Sequence, residues 1–273
     1  MRVTVLLAAL RGLLIKEVVN ANPLSRLGCR YYEDALIFNC NGSSLDRVVE
    51  AIRYLEQKFI HTNRIPVRHV NLLHGNFTEL PFFLSKFNET LEGIRIHNTS
   101  LTHIYPDAFS GLSRVRFLDL SKNNLTAIPY AISTLHNLQF LNVSSNRLRR
   151  LEPQSQFSSW KRLRLLDLSS NYIDKLELLD LKPSSATVER LLLDNNDIAS
   201  VPQEWSSLPL PQLKEISINN NALTTFPWFH LKFTPRLITV RLRKNNIETF
   251  PFYFMSSHPG ENLTIDMSGE LTT

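Results

Sequence analysis

Apolar and polar positions along the chain follow one eleven-residue template, L-x-x-L-x-L-x-x-N-x-L, which recurs eight times. Positions 1, 4, 6 and 11 of the template comprise 32 sites, and every site holds an aliphatic residue or Phe. A unit this small cannot bury its apolar side alone, so the pattern predicts units stacked along one axis into a solenoid. The units start 23 to 25 residues apart, at Val67, Leu91, Val115, Leu138, Leu163, Val188, Leu213 and Leu237.

The central residues of each template predict one strand of a parallel sheet shared by all units. Side chains alternate along a strand, so positions 4 and 6 are expected to point inward and positions 3, 5 and 7 outward. Position 9 is Asn in six units, where a side-chain amide can satisfy buried backbone groups of the turn that leaves the sheet. These residues are Asn123, Asn146, Asn171, Asn196, Asn221 and Asn245. The first two units have Gly75 and Thr99 there, which predicts a weaker ladder at the N-terminal end.

A second pattern follows each template, as in LTAIPYAISTL and IASVPQEWSSL. Its proline ends regular pairing on the side opposite the sheet, and the next apolar residue fills the inner edge there. The predicted fold is therefore an α/β solenoid with the shape of a horseshoe. Its concave face is a parallel β-sheet, and its convex side consists of short helical turns and loops.

The N-terminal 66 residues precede the first template. Residues 1–21 resemble a signal peptide, with the apolar run Val3–Leu10 and a small-residue cleavage site ending at Ala21. Because Arg11 and Lys16 interrupt the continuation of the apolar run, a misassigned start codon or a cytosolic N-terminus is the alternative.

Residues 22–66 are predicted to form an N-terminal cap. It contains a strand over Ala35–Cys40 and an amphipathic helix over Ser44–Phe59. Ser43 followed by Asp46 predicts the N-terminal cap of that helix.

Residues 67–259 hold the eight units, and 260–273 are predicted to form a partial ninth unit with Leu263 and Ile265 as its inward pair. No cysteine-bearing cap follows them. An uncapped solenoid end exposes its core, so we expect either a truncated chain or a partner that covers this end.

Two cysteines, Cys29 and Cys40, both lie before the first template. Their placement favours a disulfide on the cap, which would stabilise it by roughly 3 kcal/mol in the chain-entropy treatment. Two unrelated buried thiols are the alternative.

Seven Asn-x-Ser/Thr sequons suggest a glycoprotein, against about three or four expected by chance. They begin at Asn41, Asn76, Asn88, Asn98, Asn124, Asn142 and Asn262. Asn41, Asn88 and Asn262 lie outside the templates and are the preferred acceptors. Asn142 is expected to be mostly unmodified, because it lies at position 5 in the middle of the candidate binding face.

These templates resemble the extracellular leucine-rich repeat (LRR) proteins over about residues 29 to 271. The cysteine-bearing cap, the unit IHNTSLTHIYPDAFSGL and the segment LDLSKNNLTAIP are similar to arthropod secreted members, which include the non-catalytic subunit of a shrimp luciferase. The resemblance implies that the chain binds a partner. It does not identify that partner, since one repeat scaffold serves receptors, matrix proteins and inhibitors.

Charge and motif content favour binding over catalysis. The formal net charge of +5 is too mild to indicate nucleic acid as the partner. Since the catalytic signatures G-x-S-x-G and H-E-x-x-H, phosphate loops and dinucleotide glycine patterns do not occur, we predict no enzyme and no cofactor. No run of eighteen apolar residues occurs, so no membrane-spanning helix is predicted.

Five histidines, in the first half of the chain, carry the enzyme alternative. They are His61, His69, His74, His97 and His103. His74 and His97 are expected to be neighbours on adjacent units, but ligands also need oriented partners, so we interpret them as surface histidines and predict no metal site.

The outward positions of the sheet form the candidate binding surface. Position 3 places Phe117, Phe140 and Leu165 in one row, about 4.8 Å apart from strand to strand, and Leu192 at position 5 extends the row. Exposed aromatic rows are where partners tend to anchor. Packing of these side chains against each other as cross-strand neighbours is the alternative.

Charged residues lie beside this row. Asp119 and Asp167 predict an acidic middle of the face, and Arg241, Arg243 and Lys244 predict a basic C-terminal end. Arg190, at position 3, is a further candidate contact. A second basic group, between the fourth and fifth units, consists of Arg147, Arg149, Arg150, Lys161, Arg162 and Arg164. This basic rim is a candidate site for a sulfated glycan, with a solvated rim as the alternative.

The sequence therefore predicts a secreted or cell-surface module that binds a protein ligand on its concave face, with a non-catalytic role in a larger complex as one form of it. An intracellular LRR regulator and an ectodomain fragment of a membrane LRR receptor are the alternatives.

Overall fold

The computed structural model describes residues 23–62, 64–151, 159–175, 182, 184–201, 209–228, 231, 234–250 and 263–268. The predicted signal peptide and the sequon at Asn262 lie outside these residues. The helices are α1 (Pro23–Arg26) and α2 (Leu45–Lys58), with 3-10 turns at Ile60–Thr62, Leu84–Phe87 and Tyr130–Thr134. The strands are β1 (Cys29–Tyr32), β2 (Ile37–Asn41), β3 (His69–Leu73), β4 (Glu79–Leu80), β5 (Gly93–His97), β6 (His103–Ile104), β7 (Phe117–Asp119), β8 (Phe140–Asn142), β9 (Leu165–Asp167), β10 (Arg190–Leu192), β11 (Glu215–Ser217), β12 (Thr239–Arg241) and β13 (Thr264–Asp266).

Eleven of these strands form one sheet in chain order, and β4 and β6 pair separately as a short parallel ladder. From β2 to β13 every pairing within the large sheet is parallel. The register joins equal template positions, so Phe117 pairs with Phe140 and Phe140 with Leu165. This arrangement confirms the predicted α/β solenoid with a parallel sheet.

All 32 side chains at positions 1, 4, 6 and 11 are buried in one continuous core. No unit contributes enough apolar surface to fold alone, and stacking removes that surface from water at roughly 25 cal/mol per Å². The solenoid therefore depends on contacts between neighbouring units.

Asparagine side chains tie each unit to the one before it. Asn171 accepts from the amide of Leu148 at 3.0 Å, and its Nδ2 donates to the carbonyls of Val143 and Leu168. The same bonds recur at Asn123, Asn146, Asn196, Asn221 and Asn245. Thr99, which replaces Asn in the second unit, instead donates its amide and its hydroxyl to Asn123.

The turn after each strand requires a left-handed residue at position 8. Asn98, Asn195 and Asn220 have φ of 55°, 56° and 53°, and the equivalent His, Lys and Ser residues of the other units have φ between 52° and 56°. Asparagine tolerates this region better than most residues that carry a Cβ. The amides at position 8 of the first seven units continue the ladder, as in the bond from Ser170 to the carbonyl of Asp194 at 2.7 Å.

The cap is a hairpin followed by α2. Strands β1 and β2 are antiparallel, and Cys29 and Cys40, which face each other across them, are joined by a disulfide. The sequence predicted only the second strand of this hairpin. The predicted helix cap at Ser43 is wrong: α2 is preceded by Ser44, while the buried hydroxyl of Ser43 donates to the carbonyl of Leu27 at 2.7 Å.

At the other end, β13 pairs with β12 through Ile265 and Val240. Leu263 and Ile265 are half-buried and pack against the core, unlike the fully buried inward pairs of the central units.

Candidate binding face

The concave face carries an apolar row on three adjacent strands. Phe117, Phe140 and Leu165 lie side by side on β7, β8 and β9, and each is half-buried. Each side chain keeps part of its surface exposed. Cross-strand packing of the three side chains and a binding role for them both stay predictions.

His69 continues this row toward the N-terminus. Gly93 separates His69 from Phe117, and a Cβ added to Gly93 would lie 2.5 Å from Nδ1 of His69. The imidazole therefore lies over the bare backbone of β5, and its burial lowers the pKa of His69. Sequence reasoning treated His69 as a solvated histidine, although a glycine at position 3 of the next unit was a signal for this close approach.

Carboxylates and amides at position 5 close the turn that follows each strand. Asp167 accepts from the backbone amide of Ser169 at 3.0 Å, and Asn142 accepts from the amide of Ser144 at 2.9 Å. Asp119 makes the same bond to Ser121. These side chains therefore have a local structural role in addition to any contact with a ligand.

The prediction of an exposed Asp119 needs correction. Its side chain is 3% exposed. Arg95, on the preceding strand, donates from Nε to the carboxylate at 2.9 Å. Ser121 donates to the same carboxylate through its backbone amide and its hydroxyl. His97 shares a 2.8 Å hydrogen bond with the hydroxyl of Ser121, and burial lowers the pKa of His97. Asp119 is thus the buried end of a polar chain and offers no open charge.

Asp167 and Asp194 are the acidic residues without an ion pair in the middle of the described face. The carboxylate of Asp194 accepts from the hydroxyl of Ser217 and the amide of Asn219, both at 2.7 Å. Burial raises the pKa of Asp167, and the negative charges of Asp194 and Asp119 add to that effect. Leu192 is paired with Asp167 across the strands, so the two carboxylates border apolar surface.

The sequence predicted a basic C-terminal end of the face. Instead, acidic and basic side chains alternate there. Glu215 lies between Arg190, at 2.6 Å, and Arg241. Burial opposes the ionisation of Glu215, but hydrogen bonds from the two guanidinium groups outweigh burial and lower its pKa. Arg243 pairs with Asp266 at 3.0 Å. A ligand would therefore compete with internal acids for these arginines.

The six residues predicted as one basic rim divide between opposite edges of the sheet. Arg147, Arg149 and Arg150 follow the C-terminal end of β8, whereas Lys161, Arg162 and Arg164 precede the N-terminal end of β9. In a parallel sheet all N-terminal strand ends lie along one edge and all C-terminal ends along the other. The prediction of a single group failed because the chain runs from one edge of the sheet to the other between these two sets of residues.

The sequons also divide by edge. Asn76, Asn98 and Asn124 lie in the turns at the C-terminal strand edge, and Asn41 ends β2. Asn88 lines a shallow cavity with Arg64 and Arg114 on the other side of the sheet. Asn142 alone of the described sequons lies in the middle of the concave face, where it is half-buried.

His74 and His97 are neighbours, as expected, with ring centroids 6.1 Å apart. Nδ1 of His74 is 2.8 Å from Nδ2, the side-chain amide nitrogen, of Asn98. Within the described ranges, no three side chains of His, Cys, Asp or Glu are grouped as metal ligands. Likewise, none of the helices seen in those ranges has the length and apolar character needed to cross a membrane.

A family model described as leucine rich repeat matches residues 89–148. Over 140 residues the chain is 37% identical to mouse Tsukushi, covering 50% of this chain and 38% of that protein. It is 28% identical over 211 residues to mouse Podocan-like protein 1, covering 76% of this chain and 34% of that protein. It is also 31% identical over 147 residues to the rat volume-regulated anion channel subunit LRRC8D, covering 52% and 17%. The chain thus spans less than half the length of these relatives.

Among solved structures, a TLR13–ssRNA13 complex superposes with a TM-score of 0.69 at 23% identity, covering 88% of this chain and 36% of the other. The LRR ectodomain of the Arabidopsis thaliana receptor kinase GASSHO1/SCHENGEN3, in complex with CASPARIAN STRIP INTEGRITY FACTOR 2, superposes with a TM-score of 0.63 at 21% identity, covering 87% and 27%. At this identity the likeness concerns the fold. The repeated template, the stacked parallel strands and these matches together show a leucine-rich repeat solenoid fold.

Proposed function

We propose that the chain is an extracellular binding module whose concave face receives a protein segment that combines apolar side chains with Lys or Arg. The observation that carries this proposal is the half-buried row of Phe117, Phe140 and Leu165 beside Asp167 and Asp194, which have no described ion pair. Apolar anchors supply most of the binding energy of an interface, and complementary charges fix its register.

The alternating charges at Arg190, Glu215 and Arg241 limit this site on its C-terminal side. Because the two arginines already bind an internal carboxylate, an acidic partner would have to displace Glu215. Among the described residues, Asp167 and Asp194 have no such competitor, so the face favours a cationic partner.

An extracellular location is supported by the cap disulfide, since such bonds persist in oxidising compartments, and by sequons that lie in exposed turns. Expression in secretory cells tests it: we expect the protein in the medium or on the cell surface, cleaved after Ala21. Recovery of the intact N-terminus from the cytosol would instead support the intracellular LRR regulator.

Photo-crosslinking tests the face. A photoreactive amino acid replaces Leu165 in one variant and Tyr172, which is exposed in the turn that follows the strand, in a matched control. Incubation with native extract should yield a discrete crosslinked protein only from the variant at residue 165. Phe140→Ser in the same background should abolish that product, whereas an equal product from residue 172 would contradict the concave site.

A further inference from the structure

The N-terminal edge of the sheet carries exposed cations on both sides of β8. They lie just before β7 and β9 and are Arg114, Arg116, Lys161, Arg162 and Arg164. In the sequence they are up to fifty positions apart, and the parallel stacking brings them to one edge.

Backbone bonds fix the spacing of these cations, which we call the N-terminal strip. The carbonyl of Arg116 accepts from the amides of Gln139 and Phe140, and the carbonyl of Gln139 accepts from those of Arg164 and Leu165. Adjacent strands are about 4.8 Å apart, so the cations extend over roughly 10 Å along the solenoid axis. These bonds fix the backbone positions from which the side chains project.

Acidic residues lie at the margins of the strip. On one side, Arg164 is 3.7 Å from Glu189. On the other side, Glu89 is 3.8 Å from Arg64, and Glu92 is 3.8 Å from Arg68. Within the described residues, Arg114, Arg116, Lys161 and Arg162 form no ion pair. Exposed cations that lack local partners attract anions, most strongly when they are aligned.

We propose that the N-terminal strip binds a sulfated polysaccharide. A linear chain with sulfates at intervals can span both groups of cations, and guanidinium groups bind tetrahedral oxyanions with paired hydrogen bonds. Described sequons at Asn76, Asn98 and Asn124 lie on the opposite edge, so their glycans would leave the strip open. Asn88 lines a cavity with Arg114, so a glycan there would cover only that end of the strip. The site is separate from the concave row and would tether the module to a matrix while that row holds its protein ligand.

Binding to fluorescently labelled heparin tests the proposal, with chemically desulfated heparin and a single-stranded oligonucleotide as comparison probes. The strip variant is Arg116→Gln/Lys161→Gln/Arg162→Gln. The control variant Arg147→Gln/Arg149→Gln/Arg150→Gln removes the same charge from the opposite edge. All these residues are exposed, so matching melting temperatures should show that every protein is folded.

We expect the strip variant to bind heparin at least about tenfold more weakly and with a smaller dependence on salt, whereas the control stays within about twofold of the unaltered chain. Desulfated heparin should not bind. Equal losses of heparin affinity in both variants would mean that only the net charge of the protein matters. Tighter binding of the oligonucleotide than of heparin would identify a nucleic acid as the ligand. Either result overturns the proposal. Phe140→Ser should leave heparin binding unchanged, so failure of the concave site and failure of the strip are distinguishable.

Discussion

Equivalent residues in neighbouring units have different environments. Asp119 and Asp167 both occupy position 5 and both accept the amide two residues later. Arg95 covers Asp119, while the strand before Asp167 offers Asn142, which is neutral. The same residue type is therefore a buried ion-pair partner in one unit and an open acid two units later.

Asp167→Asn should stabilise the protein at neutral pH. The folded pKa of Asp167 is raised, so the folded chain binds the proton more tightly, and the stability this provides at low pH is lost as pH rises through the folded pKa. An asparagine keeps the bond to the Ser169 amide, as Asn142 does with Ser144. D167N and its control D119N each create an Asn-x-Ser sequon, so both are produced in a host that does not N-glycosylate. Urea unfolding should show a gain at pH 7 that shrinks below about pH 4.

Asp119→Asn is the matched control for that experiment. It removes the charge opposite Arg95, so it should destabilise the protein at neutral pH. A gain in stability from both substitutions would contradict the difference in environment between the two carboxylates.

Leu168→Ala tests the register at the centre of the solenoid. Leu168 is 0% exposed at position 6 of the fifth unit. Deletion of its methyl groups leaves a cavity, and we expect a loss of about 2–5 kcal/mol in the free energy of unfolding. Tyr172→Ala, at an exposed residue of the same unit, should change it by less than about 0.5 kcal/mol. Calorimetry that finds equal melting temperatures would contradict the register.

At the scale of the element, the asparagine ladder connects units that have only short strands. Asn171→Ala would leave the amide of Leu148 and the carbonyls of Val143 and Leu168 without this partner. An unsatisfied buried polar group costs about 1–3 kcal/mol, so we expect a large loss of stability. Asn137→Ala is the control, because the side chain of Asn137 donates one solvent-exposed hydrogen bond, to the carbonyl of Ser113. A similar loss from both substitutions, measured by urea unfolding, would mean that the ladder contributes little.

The template predicted the elements that repeat and missed those that occur once. Stacking enforces one environment at positions 1, 4, 6 and 11, so the pattern alone identified all 32 buried side chains. The first strand of the cap hairpin lies outside the template, and no periodicity marks it. The loss of the predicted cap at Ser43 has the same cause, since its partner Leu27 lies sixteen residues earlier. The small β4–β6 ladder lies in the second repeated pattern, for which the sequence predicted helical turns and loops and no strand.

At the scale of the whole molecule, the candidate site was predicted in part. The row of Phe117, Phe140 and Leu165 followed from the template, because equal positions are neighbours in the sheet. The charges were predicted less well. Ion pairs such as Arg190 with Glu215 join side chains of different units, which the template does not relate. The six residues predicted as one basic rim lie on two edges, because the chain between them crosses the solenoid from one edge to the other. The similarity to arthropod secreted members stays a prediction.

The distribution of sequons over the molecule leads to a prediction about Asn142. A glycan there would project from β8 beside Phe140 and cover the apolar row. A glycan on Asn142 and an accessible concave row exclude each other, and we expect the accessible row. Asn41 and Asn88 are exposed outside the face, so glycans on them leave the row free.

Glycopeptide mass spectrometry of the secreted protein should find Asn41 and Asn88 mostly occupied and Asn142 mostly bare. Asn88→Gln provides the control, since it should remove one glycan without changing the mass of the peptide that contains Asn142. High occupancy at Asn142 would move the binding surface away from Phe117, Phe140 and Leu165. The part of the N-terminal strip away from Asn88 would then remain open, because Arg116, Lys161 and Arg162 lie on the strand edge opposite to Asn76, Asn98 and Asn124.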